Sequence, residues 1–323
     1  MPRFLGYNMK NFNLAIIGAT GLVGLTFLKV LEEKNIIPKK LYLFASNKSA
    51  GKTILFNGKK HQVLELCEKN ISKKHIHFAL FSAGGSVSKE FAPIFTKYGA
   101  TVIDNSSAFR NFDNIPLVVP QVNSGDLKNA HGIIANPNCS TIQCMAPLKA
   151  LDDLFNLKQV EYTTYQAVSG SGQKGKADLI RNKQGLPCIF YPHNILNNCL
   201  PHIDNFLSNG YTNEEIKMVN ETRKILHKPN LAVSATCVRV PVENCHSVSI
   251  SAWFEKEIDL KKAQEALKNF ESIVLMDNPE TNTYPLCEIA NNTDKVYVGR
   301  VRVDLNNKKC IHMFTVADNI RKG

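Results

Sequence analysis

The chain has 323 residues, of which 44% are hydrophobic and 21% charged; this is the make-up of a folded globular protein with length enough for two domains, and it excludes an intrinsically disordered one. The formal net charge of +11 comes from scattered lysines, with short clusters such as Lys39-Lys40, Lys59-Lys60 and Lys73-Lys74. No arginine-rich arm, zinc finger or aromatic RNA-binding signature accompanies them, and no apolar run approaches the roughly 18 residues a membrane helix needs, so neither nucleic acid nor a membrane is an expected partner.

Met1 to Lys10 contains a basic residue but no apolar core, which argues against a secretory signal, and Met9 stands close enough to the first strand to be the natural start. Leu14–Ile17 reads as a short buried strand. Gly18-Ala-Thr-Gly-Leu-Val-Gly24 follows at once, then a helical pattern to Lys34 with Leu22, Leu25, Leu28 and Leu31 on one side. Strand, glycine turn and helix is the context of a phosphate-binding loop: glycines let the backbone approach a pyrophosphate, and the helix N-terminus attracts its charge. A second strand, Leu41–Ala45, runs into Ser46-Asn-Lys-Ser-Ala-Gly51. No acidic residue stands there to hold a ribose 2′-hydroxyl, whereas Ser46, Lys48 and Ser49 suit a 2′-phosphate; the plain alternative is a polar turn with no ligand. Strands are expected at 78–81, 101–103, 117–119 and 133–134, with a helix from Ser88 to Tyr98, and Gly84-Gly85 closes a strand end. This alternation implies a mostly parallel sheet with crossover helices.

After about Leu151 the strands lengthen. Lys158 to Val168, Ser234 to Val240, His246 to Phe254, Val296 to Asp304 and Cys310 to Ala317 are strand-like. In His246–Phe254, Val248, Ile250 and Ala252 alternate with Ser247, Ser249 and Ser251. Asp259 to Phe270 reads as an amphipathic helix with Leu260, Ala263, Ala266 and Leu267 as its apolar side. The fold class is therefore α/β: a Rossmann-type doubly wound parallel sheet, followed by an α+β domain with a mixed sheet carrying helices on one face. The expected division is 1–138 with 318–323, and 139–317.

Nine cysteines, an odd number without a C-x-x-C pair, suggest neither a disulfide framework nor a zinc site, and fit a reducing cytoplasm. One of them poses a sharper question. In Ala135-Asn-Pro-Asn-Cys-Ser-Thr-Ile-Gln-Cys144, Cys139 ends a strand and opens a helix expected over 140–153. A lone cysteine is most often a small buried hydrophobe, and Cys144, inside the helix, fits that reading. A thiol at a helix N-terminus instead feels the positive end of the macrodipole, which favours thiolate. Unpaired backbone N–H groups there could hold an oxyanion, with Asn138 adding a side-chain donor.

Several stretches fall in a telling order: G-A-T-G-L-V-G at 18–24, A-S-N-K-S-A-G-K at 45–52, D-N-S-S-A-F-R at 104–110, N-P-N-C-S-T at 136–141, Y-Q-A-V-S-G-S-G at 165–172, L-P-H-I-D at 200–204, E-E-I-K-M-V-N-E-T-R-K-I at 214–225, R-V-P-V at 239–242 and A-D-N-I-R-K-G at 317–323. Together they resemble the aspartate-semialdehyde dehydrogenase family nearly end to end. The resemblance implies that Cys139 is the nucleophile, His246 the general acid/base, and Gln166 and Asn138 parts of the catalytic site. Arg239 would bind the substrate α-carboxylate, Glu214 would sit near its ammonium, and Arg110 and Lys217 would bind phosphate. NADP would be held by Gly18, Thr20, Gly21, Leu22, Val23, Gly24, Ser46, Lys48, Ser49, Ser169, Gly170 and Asn319. The implied reaction reduces L-4-aspartyl phosphate with NADPH to aspartate 4-semialdehyde and phosphate, feeding lysine, threonine, methionine and diaminopimelate synthesis. The first domain would bind NADP, and the second would carry catalysis and assembly into a homodimer or homotetramer; no metal is implied.

Each residue also has a bland reading. Arg110 and Lys217 alone would be surface charges, His246 a strand-end histidine, Gln166 a sheet-edge cap, and Glu214 with Lys217 an ordinary i, i+3 pair. His202 and Asp204 have metal-ligand spacing but no third ligand, and read as structural. The chain departs from the family in three places: Cys245-His246 where glycine-histidine is usual, Lys48 where arginine is often found, and an end at Gly323 where the family continues into a C-terminal helix that covers part of the cofactor site. Three other functions compete: an N-acetylglutamyl-phosphate reductase, a catalytically silent chain kept for binding or assembly, and a basic nucleic-acid binder.

Overall fold

A computed structural model describes residues 11–323, the side chain of Asn129 excepted; the readings of Met1–Lys10 as lacking a secretory signal and of Met9 as the start lie outside the described residues. Two compact units emerge. The first comprises the described residues up to Val118 together with Gly125–Asn136. Its elements are β1 (Asn13–Ile17), α1 (Leu22–Glu33), β2 (Lys40–Ala45), β3 (Thr53–Phe56), β4 (Lys59–Glu65), α2 (Glu68–Ser72), β5 (Phe78–Phe81), α3 (Gly85–Lys97), β6 (Thr101–Asp104) and β7 (Ile133–Ala135). They build a seven-stranded sheet in the order β3-β4-β2-β1-β5-β6-β7. Every pairing is parallel except β3 with β4.

The apolar run of β1 is buried along its whole length, as expected of a central strand covered on both faces. Phe44 of β2 and Phe81 of β5 each meet the ring of Phe95 on α3 edge-on, with centroids 5.8 and 5.3 Å apart. Two local expectations need correcting. Residues 117–119 form a single bridge, Leu117 to Ala135, rather than a strand; Pro116 and Pro120 flank them, and proline cannot donate to a ladder. The β3–β4 hairpin was not foreseen, although its turn is Asn57-Gly58, with φ of 48° and 72°, the strongest short-range hairpin signal.

The second unit comprises Val119–Ser124 and Pro137–Gly323. It contains α4 (Pro120–Asn123), α5 (Cys139–Phe155), β8 (Leu157–Gln166), α6 (Gly172–Lys183), α7 (Asn213–Ile225), β9 (Ala232–Arg239), β10 (His246–Phe254), α8 (Leu260–Asn269), β11 (Ile273–Leu275), α9 (Cys287–Ala290), β12 (Val296–Val303) and β13 (Cys310–Ala317). The mixed sheet runs β11-β12-β13-β10-β8-β9. Helix α5 packs on β8, β10, β12 and β13, α7 on β9, and α8 on β11 and β12. Val248, Ile250 and Ala252 are buried, while Ser249, Ser251 and Trp253 of the same strand are half-buried on the opposite face. Tyr165, largely exposed, meets Phe314 on that opposite face.

The compact units divide differently from the expected 138/139 boundary. Asn138 lies with the second unit, bonded to Glu214 and Glu221 of α7. Residues 318–323 lie there too, since Asp318 accepts from the Asn292 N–H and Asn319 accepts from the Cys245 N–H. Among the described residues, no helix is long and apolar enough to cross a membrane.

Candidate active site

In the first unit the sheet order reverses at β1, which has β2 on one side and β5 on the other; ligands of open α/β sheets bind beyond the strand ends at such a point. The 18–24 loop leaves β1 there. Gly18 has a φ of +83°, and a Cβ on it would lie 2.3 Å from the Ser82 carbonyl oxygen; one on Gly24 would lie 2.3 Å from the Gly18 carbonyl oxygen. Neither position admits another residue without moving backbone. No side chain caps the N-terminus of α1, which leaves it open to an anion. Ser46 and Lys48 are exposed and Ser49 half-buried on the turn after β2. Arg110 is buried and donates from Nη2 to the Asn105 carbonyl at 2.8 Å. Buried Asp104 shapes the same loop by accepting from Ser88 Oγ, Ser106 Oγ and the Ser106 N–H.

The second unit gathers the remaining site residues. Cys139 is the first residue of α5 and Asn138 its N-cap. Asn138 Oδ1 accepts from the Ser140 and Thr141 N–H groups at 2.9 and 3.2 Å. Its Nδ2 donates to Glu214 Oε1 at 2.9 Å. The side-chain donor expected to face an oxyanion is thus turned to Glu214, and two of the N-terminal N–H groups are already satisfied. Gln166, at the end of β8, also donates to Glu214 Oε1, at 3.1 Å, while its own Oε1 accepts from Thr164 Oγ1.

Glu214 is buried in the first turn of α7, and Lys217 lies one turn on. Lys217 Nζ reaches Glu214 Oε2 at 3.2 Å and Asp204 Oδ2 at 2.7 Å. Burial alone would raise the Glu214 pKa; the Lys217 charge and the hydrogen bonds from Asn138, Gln166 and Lys217 outweigh it and hold the carboxyl below its ordinary range. Burial likewise opposes the charge on Lys217, and the two carboxylates reverse the effect, raising its pKa. Asp204 is therefore an ion-pair partner, while His202 stacks on Phe206.

The residue that sequence reasoning missed is Ala167. Its N–H donates to His246 Nδ1 at 3.0 Å, and its carbonyl accepts from Arg239 Nη1 at 2.6 Å. One peptide therefore orients both groups, through backbone atoms that no residue pattern reveals. His246 is fully buried, and its Nε2 has no partner among the described residues. A neutral imidazole whose Nδ1 accepts an N–H carries its proton on Nε2. Burial and the neighbouring Arg239 charge hold the His246 pKa well below the ordinary histidine range, so the neutral Nε2–H form prevails at neutral pH. Gly170 packs against this pair: a Cβ there would lie 2.9 Å from Arg239 Nη1 and 3.0 Å from His246 Nε2. Ser169 Oγ donates to Asn319 Oδ1, which also accepts from the Cys245 N–H; Asn319 Nδ2 is buried with no partner among the described residues. Cys245 has a φ of +74° and a buried thiol that donates to the Cys287 carbonyl.

Two family descriptions match. "Semialdehyde dehydrogenase, NAD binding domain" covers residues 13–130, and "Semialdehyde dehydrogenase, dimerisation domain" covers 148–322. The chain is 51% identical to aspartate-semialdehyde dehydrogenase of Aquifex aeolicus, across 97% of this chain and 94% of that one. It is 48% identical to the enzyme of the same name from Campylobacter jejuni, with the same coverage. Among solved structures, aspartate semialdehyde dehydrogenase II of Vibrio cholerae complexed with ASA superposes with a TM-score of 0.92 at 42% identity, over 97% of this chain and 94% of that one. The chain belongs to the aspartate-semialdehyde dehydrogenase family.

Proposed function

We propose that this chain catalyses the NADP-dependent reductive dephosphorylation of L-4-aspartyl phosphate to L-aspartate 4-semialdehyde and phosphate. The observation that carries the reading is an unbroken path of bonds. It runs from Asn138, beside Cys139, through Glu214 and Gln166 to the Ala167 peptide that holds His246 and Arg239. That path carries a proton donor, a buried arginine and a buried carboxylate and starts beside a cysteine, a set suited to an acyl phosphate that also bears carboxylate and ammonium groups.

The Cys139 thiolate, favoured at the α5 N-terminus, attacks the acyl carbon. The S–C bond forms, the C–O bond to phosphorus breaks, and phosphate leaves with the electron pair. The His246 Nε2–H donates to the carbonyl oxygen as negative charge develops on it. In the neutral tautomer Nε2 has no lone pair, so His246 works as a donor, and the thiol proton goes to solvent. Arg239, whose buried Nε has no partner among the described residues, takes the α-carboxylate, and Glu214 the ammonium. Arg110 and Lys217 take the phosphate, Lys217 exchanging carboxylate contacts for it.

The residues fit a nicotinamide dinucleotide. Gly18 and Gly24 leave the close backbone approach that a Cβ would fill, and the buried, unmatched Asn319 Nδ2 offers a donor. In the first unit Thr20, Gly21, Leu22 and Val23 complete the phosphate loop, and Ser46, Lys48 and Ser49 favour a 2′-phosphate; in the second unit Gly170, next to Ser169, adjoins Arg239 and His246. When bound, NADPH supplies the hydride that converts the acyl thioester to the aldehyde. The Tyr165–Phe314 face of the mixed sheet supports a homodimer or homotetramer, and nine cysteines without a disulfide suit the cytoplasm.

The test compares phosphate-dependent kcat/KM on aspartate semialdehyde and N-acetylglutamate semialdehyde, each with NADP and NAD. Preference for the aspartyl substrate and for NADP is expected, the latter weakened by Lys48→Ala. Preference for the glutamyl substrate would assign the chain to the sister reductase; equal use of NAD would overturn the cofactor assignment.

A further inference from the structure

The hairpin joining β12 and β13 gathers three metal-ligating groups that the reaction does not use. Asp304 directly follows β12, Cys310 opens β13 and His312 follows it on the same face. One carboxylate oxygen of Asp304, Cys310 Sγ and one ring nitrogen of His312 all lie within 4.8 Å of one another. The geometry points to a divalent-cation site of the borderline type, for zinc or cobalt, with these three atoms as ligands and a fourth position left to water.

The surroundings suit that role. Asp304 Oδ1 accepts from the Asn306 and Asn307 N–H groups, each at 2.9 Å, which fixes the carboxylate and leaves Oδ2 facing His312 Nε2 at 2.9 Å. Ser251 Oγ lies 2.9 Å from His312 Nδ1. An outer hydrogen bond on one ring nitrogen is how metal-binding histidines are oriented, and it directs Nε2 to the ion. Cys310 is almost fully buried. The Asp304 carboxylate beside the thiol sets a negative potential that a cation relieves. Arg302, the cross-strand neighbour of His312, directs its guanidinium to the Arg300 carbonyl at 2.7 Å. One carboxylate, one imidazole and one thiolate form a mixed oxygen, nitrogen and sulfur set that suits zinc and cobalt over magnesium and calcium. On binding, the three ligand atoms bond to the ion. The Cys310 proton leaves to solvent, and the proton between Nε2 and Oδ2 moves to Nδ1, which then donates to Ser251 Oγ. The alternative is a Ser251–His312–Asp304 hydrogen-bonded chain that only pins the hairpin.

Cobalt(II) titration of the full chain separates the two. A Cys139→Ser background removes the reactive thiol as a competing ligand. In that background a thiolate-to-cobalt charge-transfer band should grow to one equivalent per chain, and zinc should bleach it and raise the Tm. Cys310→Ser should abolish the band. Asp304→Asn, which keeps the Oδ1 turn contacts, should weaken cobalt binding at least tenfold. No band in the Cys139→Ser chain, or a full band in Cys310→Ser or Asp304→Asn, would overturn the site.

Discussion

His246 shows how one backbone contact sets a side chain's chemistry. Because Nδ1 accepts from Ala167, protonation would have to break that bond inside a buried site beside Arg239. The folded pKa is therefore depressed below the ordinary 6.5. The unfolded chain takes up its proton near 6.5 and the folded chain only at lower pH, so this group's contribution to stability is whole above 6.5 and declines as pH falls below it. The acid limb of kcat/KM belonging to His246 should likewise lie below pH 6.5. A limb centred at or above 6.5 that disappears in His246→Gln would contradict the lowered pKa. The preceding residue carries a second residue-scale consequence. Cys245 holds a φ of +74°, a conformation that costs non-glycine residues about 1–2 kcal/mol. Cys245→Gly should therefore be more stable than Cys245→Ala by about 1 kcal/mol. Urea unfolding of the two variants measures the difference, and a more stable alanine variant would rule the strain out.

Helix α5 owes its start to Asn138, which serves both as N-cap and as donor to a buried carboxylate. Asn138→Ala should cost about 1–2 kcal/mol from the cap alone, and should also remove one of the two hydrogen bonds that Glu214 Oε1 accepts and so raise that carboxyl's pKa. A lower Tm checks the first effect; an unchanged Tm would mean that the cap contributes nothing. At this scale the sequence was informative where side chains alternate or repeat. The alternation from His246 to Phe254 marks β10 to the residue, and the helix read from Ser140 persists through Pro147 to Phe155 because its packing on the sheet buries it nearly throughout. Helix α6 escaped notice because it is mostly polar, with Ala177, Leu179 and Ile180 its only apolar side chains. In the site, Cys139, His246, Gln166 and Glu214 were legible from motif order. The Glu214–Asn138 bond, the Asp204–Lys217 pair and the Ala167 peptide were not, since each depends on long-range pairing or on backbone atoms.

At the scale of the whole molecule the chain is built from two units with different grammars, a parallel sheet carrying glycine-rich loops and a mixed sheet carrying nearly all the reactive side chains. The account stands on Cys139 as nucleophile in a phosphate-dependent oxidoreduction. The most direct test follows nicotinamide absorbance with aspartate semialdehyde, NADP and phosphate, for the wild-type chain beside Cys139→Ser. Phosphate-dependent turnover is expected in the wild type, with a fall of about a thousandfold or more in the variant. Turnover that survives in a folded Cys139→Ser variant, or that ignores phosphate in the wild type, would contradict it.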